Sequence, residues 1–531
     1  MFRSLGIRPF TRLANNRCIS RPNLVNSCAA RNFSSSIRRY QKAAEFQDEL
    51  EGERKWSTPL AKQLFSAIST TGPVPLASYM RMCLTGDIGG YYTGAIGEGR
   101  DQFGTKGDFV TSPEISQIFG ELIGIWFIAE WMSQGRPKQG VQIIEVGPGR
   151  GTLMDDLLRT IQRFPAMANS IDAVYMVEAS RELRNAQKEL LCGPGASSSE
   201  LESGFHSSSK YNGKKIVWTD NIKSIPYGKQ RHLIVLHFKA NIIMESDKMP
   251  FIIAHEFFDA LPIHSFQSAP AATPQPKPSS STSAPQPPPE NTKPTMEWRE
   301  MMVSPTPPGV THAQLGTPKS EQHEPPPEFQ LTLSSTPTRH SRFLPETSSR
   351  YRKLKSMPNS NIEICPDASI FATDFATRVG GSDEHPKPKP SGAALILDYG
   401  TSDTVPINSL RGIRHHRRVS PFSAPGLVDL SADVDFTAIA EVAMSASEGV
   451  EVHGPVTQGD FLTVMGIRER AEQLTKTPGV EKDTIDKIDG AWKRLVDKGP
   501  DGMGKLYKVL AILPENDGRR RPVGFGGDVL G

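Results

Sequence analysis

The chain has 531 residues, 37% of them hydrophobic and 22% charged, with a formal net charge of +3. That is enough for two or three domains, or for one large domain with insertions, and so small a charge excess makes no case for a nucleic-acid partner. Five scattered cysteines with no C-x-x-C or Cys/His spacing indicate neither a disulfide framework nor a zinc site, and the most apolar run, 115–131, is too short and too charged (Glu121, Glu130) to span a membrane.

The first acidic residue is Glu45, and before it come Arg3, Arg8, Arg12, Arg17, Arg21, Arg31, Arg38 and Arg39 among Leu, Ile, Phe and Ser. An acid-free, arginine- and serine-rich start reads as a mitochondrial transit peptide, with a cleavage region at Arg31–Ser35; a secretory signal would need a continuous apolar core. Cleavage after Phe33 would remove six arginines and take the net charge from +3 to −3, so the basic excess belongs to the address. Residues Pro59–Leu84 then read as helices built around Leu64, Phe65, Ile68, Tyr79, Met80 and Met82. A glycine-rich loop from Gly89 to Gly107 leads into a helix that Thr111 or Ser112 can cap, with Pro113 and Glu114 in its first turn. Glu114 there suits the helix macrodipole.

From Val141 an alternation of strands and helical patterns begins, with strands expected at 141–146, 173–178, 215–218, 250–254 and 394–398. Such an alternation predicts a doubly wound, mostly parallel α/β sheet, and ligands bind such sheets at the carboxyl ends of the strands. Those ends carry Glu145, Glu178, Asp220, then His255–Asp259, then Asp398–Gly400. The first strand runs into Gly147, Gly149 and Gly151 and on to a helical stretch, Thr152–Phe164, with Leu153, Leu157, Leu158 and Ile161 on one face. Glycines let the backbone approach a ligand and the helix start offers free N–H groups, so this is a nucleotide-type cofactor site. A dinucleotide site would read G-x-G-x-x-G with a ribose-binding acid about 20 residues on. Here the spacing is G-x-G-x-G, Thr152 stands where the last dinucleotide glycine would be, and the second strand reaches its acid, Glu178, well beyond that distance.

Low complexity interrupts this plan. Ser268–Pro289 and Pro305–Pro327 lack the apolar surface to offset ordering entropy. Between them Met296–Val303 alternates like a short strand, with Phe329–Leu333 as its hairpin partner. Gly193–Lys210 reads as a serine-rich, mobile insert, and His237–Met249 fits no element. Further on, the basic stretch Arg411–Arg418 holds His415 and His416, which an extended chain would point to opposite sides, and a last helix is expected near Ile485–Leu495.

An acid before three alternating glycines and a second acid ending the next strand resemble the S-adenosylmethionine (SAM) site of class I methyltransferases. Further segments make the resemblance more specific: Gly107–Ser116, Glu145–Thr152, Ala254–Pro262, Leu397–Gly400, Pro425–Ser431, Val434–Phe436 and Gln458–Leu462, in that order, resemble the MidA family. Two places depart from the family pattern: His255 stands where an asparagine is expected, and Ser431 and Asp433 occupy a Thr-x-His pattern. The resemblance implies a Rossmann-like class I methyltransferase sheet with a helical N-terminal segment and a C-terminal accessory region. It divides the chain into a transit peptide (1–40), a helical segment (41–135), the first part of the SAM-binding core (136–267), a Pro/Ser-rich insert with a hairpin (268–345), the second part of the core (346–402) and an accessory region (403–531).

The activity the resemblance implies is that of a protein-arginine methyltransferase of the mitochondrial matrix, acting on a matrix-arm core subunit of respiratory complex I during assembly, with no nucleic-acid partner and no membrane insertion. Its cofactor residues would be Glu145, Gly147, Gly149 and Gly151 around the methionine part, Glu178 on the ribose hydroxyls and Asp220 at the adenine. Carboxylates suit recognition of a guanidinium, because bidentate pairing fixes the fork. Glu256 is therefore the first candidate for the catalytic clamp and Asp259 the second. Asp398 and Tyr399 are candidates to line the substrate channel, and Asp108, Thr111 and Glu114 to close over the cofactor. Simpler roles compete: Asp259 as a turn cap before Pro262, and Asp220 as part of a plain turn. A non-catalytic, SAM-binding assembly factor is the alternative from another class, and a dinucleotide oxidoreductase or a methyltransferase of RNA or a small molecule stand further off.

Overall fold

Strands that are apolar on both faces must be covered on both faces, and the computed structural model of the chain builds them into one sheet between helices. It describes residues 55–94, 107–108, 110–201, 204–227, 248–271 and 295–526. The expected transit peptide, most of the first low-complexity stretch and nearly all of His237–Met249 lie outside these residues. Residues Ser57–Gly531 form a single unit.

Seven strands make the body of the main sheet: β1 (Val141–Val146), β2 (Ile171–Val177), β3 (Lys215–Thr219), β4 (Met249–His255), β5 (Ala393–Thr401), β6 (Val450–Thr457) and β7 (Tyr507–Pro514). Their order is β3-β2-β1-β4-β5-β7-β6. Neighbours from β3 to β5 run parallel, while β7 is antiparallel to both β5 and β6. Every residue of β1 and β4 is buried. Alternate side chains point to opposite faces. Ile143 joins the core under α1 (Gln117–Ser133) and α2 (Thr152–Ile161), while Ile144 joins the one under α4 (Pro366–Gly380) and α5 (Phe436–Ala446). The close packing of α1 on α2 depends on Gly120, where an added Cβ would lie 2.5 Å from Cβ of Asp156. Between β2 and β3, α3 (Arg181–Cys192) is capped by Ser180, whose hydroxyl accepts from the N–H of Leu183.

Three expectations are corrected. The serine-rich Gly193–Lys210 stretch holds two short strands, Ser199–Leu201 and Gly204–Ser208, which extend the sheet beyond β3. Its few apolar residues suffice because Phe205 stacks on Trp218 of β3, with ring centroids 5.3 Å apart and 13° between planes. Residues 306–328 contain a one-turn helix, His312–Leu315, closed by Gln314 on the N–H of Thr311, and a 3-10 turn, Lys319–Glu321. Polar caps and charge hold this stretch where apolar burial does not: Glu321 lies 3.8 Å from Arg418 and Glu324 3.8 Å from Arg414. His415 and His416 are not in extended chain; with φ of +50° and +57° they form the two-residue turn of a hairpin between Arg411–Arg414 and Arg417–Val419.

The expected pairing of Phe329–Leu333 with Met296–Pro305 is present and antiparallel, Leu333 opposite Met301. It belongs to a second, smaller sheet with His264–Pro270, Asn361–Ile364 and Val74–Pro75. The last helix spans Lys482–Val496.

Candidate active site

The carboxyl ends of β1, β2 and β4 open on one cavity of about 340 Å³. One side is the glycine turn after β1. Gly147, Gly149 and Gly151 have φ of +68°, +51° and +85°, a region where side chains are strained. At Gly147 space is lacking too, since a Cβ would lie 2.6 Å from Cδ2 of Phe257. The turn is pinned by the Gly147 N–H donating to Val177 O (3.1 Å) and the Gly151 N–H donating to Pro148 O (2.8 Å).

Gln187, on α3, is not among the residues expected from the sequence. Its Nε2 donates to Gly149 O (2.6 Å) and lies 3.4 Å from Oε2 of Glu178, while its Oε1 accepts from Nε1 of Trp218 (3.0 Å). One buried amide thus joins the glycine turn, the acid after β2 and strand β3. The signal was present: Gln187 falls midway between Leu183 and Leu191, a polar residue on the buried stripe of an amphipathic helix.

Both cofactor acids are buried. Glu178 accepts from the Ser180 N–H at 2.8 Å, yet burial outweighs its hydrogen bonds and pushes its carboxyl up to about 7. Burial, and then the charge of Glu178, push Glu145 up as well, and Glu145 Oε2 has no hydrogen-bond partner.

The opposite side comes from the turn after β4. Glu256 has φ +49°, a strained conformation for a residue with a side chain, costing about 1–2 kcal/mol. Asp398 holds it there. The N–H groups of Phe257, Phe258 and Asp259 converge on Oδ2 of Asp398 at 3.1, 2.8 and 3.3 Å, and its Oδ1 accepts from the Tyr399 N–H at 2.9 Å. The Glu256 N–H itself donates to Leu397 O (2.9 Å). Glu256 Oε1 is buried without a hydrogen-bond partner, 3.5 Å from Nε2 of His255. Burial drives the His255 imidazole down to about 3, so it is neutral, and its ring meets Phe119 edge-on at 5.0 Å. Burial, then the charge of Asp259, push Glu256 upward, with Tyr507 bonding it in the other direction. Asp259 is buried, raised by that burial, and its Oδ1 is unpartnered.

Around these acids stand Tyr399 and Tyr507, rings 5.2 Å apart, with the Arg411 guanidinium 4.3 Å from the Tyr399 ring centre and bonded to Asp433 at 2.6 Å. Tyr92, which lines the cavity, donates to Asp429 (3.0 Å), a carboxyl that burial raises to about 7. The N-terminal motif closes the rim. Glu114 accepts from the N–H and hydroxyl of Thr111 (3.2 and 3.4 Å) and reaches to 3.9 Å from Arg150 of the glycine turn. Arg81 and Asp367, 2.9 Å apart, bridge the rim elsewhere.

Of the residues expected from the sequence, Glu145, Gly147, Gly149, Glu178 and Glu256 line this cavity together with Thr111 and Glu114. Gly151 shapes the turn without lining it, and Asp259 and Asp398 lie outside the lining, buried. Asp220 is exposed at the end of β3 and does not line the cavity. Asp108 is an anchor: it accepts from the Tyr91 hydroxyl (2.9 Å) and from the His415 N–H (2.7 Å).

The strand order, the reversed β7 and a glycine turn at the end of β1 between two acids define a class I methyltransferase fold. The chain belongs to the MidA-like family whose model, described as "Putative S-adenosyl-L-methionine-dependent methyltransferase", matches residues 122–456. It is similar to the protein arginine methyltransferase NDUFAF7, mitochondrial, of Xenopus tropicalis, with 31% identity over 90% of this chain and 91% of that protein. To the Homo sapiens protein of the same name it is 31% identical over 86% of this chain and 84% of the other. In fold it is similar to a COG1565 superfamily protein from Burkholderia thailandensis bound to S-adenosyl-homocysteine, with a TM-score of 0.54 and 20% identity over 88% and 92% of the two chains.

SAM is the cofactor of the family, and the residues present fit it: a Cβ-free cradle at Gly147, an unpaired Glu145 oxygen facing the site and Glu178 beside it. The relatives are mitochondrial by name, in keeping with the mitochondrial address read in residues 1–40. Among the described residues no helix is long and apolar enough to cross a membrane.

Proposed function

We propose that the protein is a SAM-dependent protein-arginine N-methyltransferase that modifies a matrix-arm core subunit of respiratory complex I during assembly. The observation that carries this reading is the buried, unpartnered carboxylate oxygen Oε1 of Glu256, which lines the cavity across from the glycine turn; Asp259, buried outside the lining, is the second candidate. Burial and then the charge of Asp259 raise Glu256, the condition of a buried acid that a bound cation would relieve. A guanidinium, planar and always charged, supplies one and offers paired N–H donors. The likeness to relatives named protein arginine methyltransferases points the same way.

Bound SAM supplies an electrophilic methyl group on a sulfonium. Glu256 binds the guanidinium through Oε1 and aims one nitrogen across the cavity toward the glycine turn. The nitrogen that gains a methyl group must give up a proton, and Glu256 Oε1 receives it, a role suited to a carboxyl raised by burial. Tyr507 holds Glu256 by a hydrogen bond, and the neutral His255 leaves its charge uncompensated for the substrate. Glu145, Gly147, Gly149 and Gly151 hold the methionine part of the cofactor, and Glu178 takes its ribose hydroxyls. Asp220, exposed at the end of β3, is the proposed adenine contact.

The test is transfer of labelled methyl from SAM to isolated matrix-arm core subunits, followed by amino-acid analysis. Methylarginine is expected from the wild type and none from Glu256→Gln, with SAM affinity nearly unchanged. Transfer at the wild-type rate by Glu256→Gln would overturn the assignment of the clamp. SAM binding without transfer by the wild type would favour the non-catalytic assembly factor.

A further inference from the structure

Glu300 is a fully buried carboxylate in the second sheet, far along the chain from the residues around it. Its Oε1 lies 2.7 Å from Nδ1 of His264, on the neighbouring strand, and 3.4 Å from Nδ1 of His340, in the short helix Arg339–Phe343. The imidazole rings of His264 and His340 stand 4.3 Å apart, centre to centre. Among the described residues this is the one group of three such side chains whose donor atoms all fall within 4.8 Å of one another.

Hydrogen bonding explains only part of this cluster. One N–H from His264 satisfies Glu300 Oε1, and His340 at 3.4 Å is too long for a good second bond. Donor atoms on a tetrahedral Zn²⁺, at 2.0–2.1 Å from the metal, are separated by about 3.3 Å. The other Glu300 oxygen is already engaged, accepting from the Thr338 hydroxyl, the kind of outer contact that orients a ligating carboxylate.

We propose that His264, Glu300 and His340 form a site for a divalent metal of the Zn²⁺ class. Two imidazoles and one carboxylate suit zinc and its neighbours and do not suit Mg²⁺ or Ca²⁺, which take oxygen ligands. The His340 side chain is 44% exposed, which leaves an entry path and a fourth position for water. None of the three residues lines the SAM cavity, so the role is structural. The ion would tie the segment before α4 to the antiparallel sheet.

The mature chain, purified without a histidine tag and stripped with chelator, is titrated with ZnCl₂ and separately with MgCl₂. Bound metal is measured by mass spectrometry, the thermal midpoint in parallel, and Co²⁺ serves as a spectroscopic probe. Stoichiometric zinc, a raised midpoint, no response to Mg²⁺ and the visible absorption of four-coordinate Co²⁺ are expected. His340→Ala, on a half-exposed side chain, is expected to lose the zinc and the gain in midpoint while keeping its affinity for SAM. The proposal is overturned if the folded wild type retains no zinc, or if His340→Ala retains as much as the wild type.

Discussion

Ionisation of Glu178 is expected to govern cofactor affinity near neutral pH. Its carboxyl is buried and raised to about 7, from an ordinary 4.5, against hydrogen bonds from Ser180 and Gln187 and the charge of Arg184 that pull it down. Ribose hydroxyls donate hydrogen bonds, so the cofactor favours the ionised form. At about pH 6 only roughly one carboxyl in ten is ionised and at about pH 8 roughly nine in ten, so affinity should tighten about tenfold, or about 1.4 kcal/mol. The free protein moves the other way. A carboxyl raised by folding contributes stability that is present below about 4.5 and lost as pH rises through about 7. The assay is calorimetric titration with SAM across this range, on the wild type and on Glu178→Gln. The amino group of the ligand titrates against both, so the ratio of affinities isolates Glu178. A flat ratio from about pH 6 to about pH 8 would refute both the raised ionisation and the contact with ribose.

Three further outcomes follow from the same geometry. Asp398→Asn keeps an oxygen for the N–H groups of Phe257, Phe258 and Asp259 but turns an amide toward the Tyr399 N–H; denaturant unfolding should show a loss of about 1–3 kcal/mol, and methyl transfer should fall more than SAM affinity. Gly147→Ala brings a Cβ to 2.6 Å from Phe257 at φ +68°, so SAM binding should be lost, with destabilisation of at least about 1–2 kcal/mol. Gln187→Ala leaves the buried Trp218 indole N–H without its acceptor and removes a bond that lowers Glu178; unfolding should show a cost of about 1–3 kcal/mol, and the midpoint of the affinity–pH curve should move upward.

Much of the site was legible because it is local in sequence. A strand, three alternating glycines and a helix are one continuous segment, and positive φ at Gly147, Gly149 and Gly151 is a demand that glycine alone meets without strain. The five strands read from apolar runs are β1 to β5, since burial on both faces leaves a continuous signal. Alternation and composition misjudged Gly193–Lys210, where one aromatic stack on Trp218 outweighs a serine-rich sequence. They also missed Gln187, whose three partners lie on three separate elements.

Only the tertiary structure decided what meets across the chain. It brings Asp398 of β5 under the turn after β4, which explains how Glu256 stays in a left-handed conformation, and it sets Glu114 against Arg150 at the rim of the cavity. It gathers His264, Glu300 and His340 around one oxygen, although no spacing along the chain announces them. The physical reason is the same in each case. Backbone conformation is dictated by neighbouring residues and leaves a motif, whereas charge, burial and ligation depend on partners brought together by strand order, which no local pattern records.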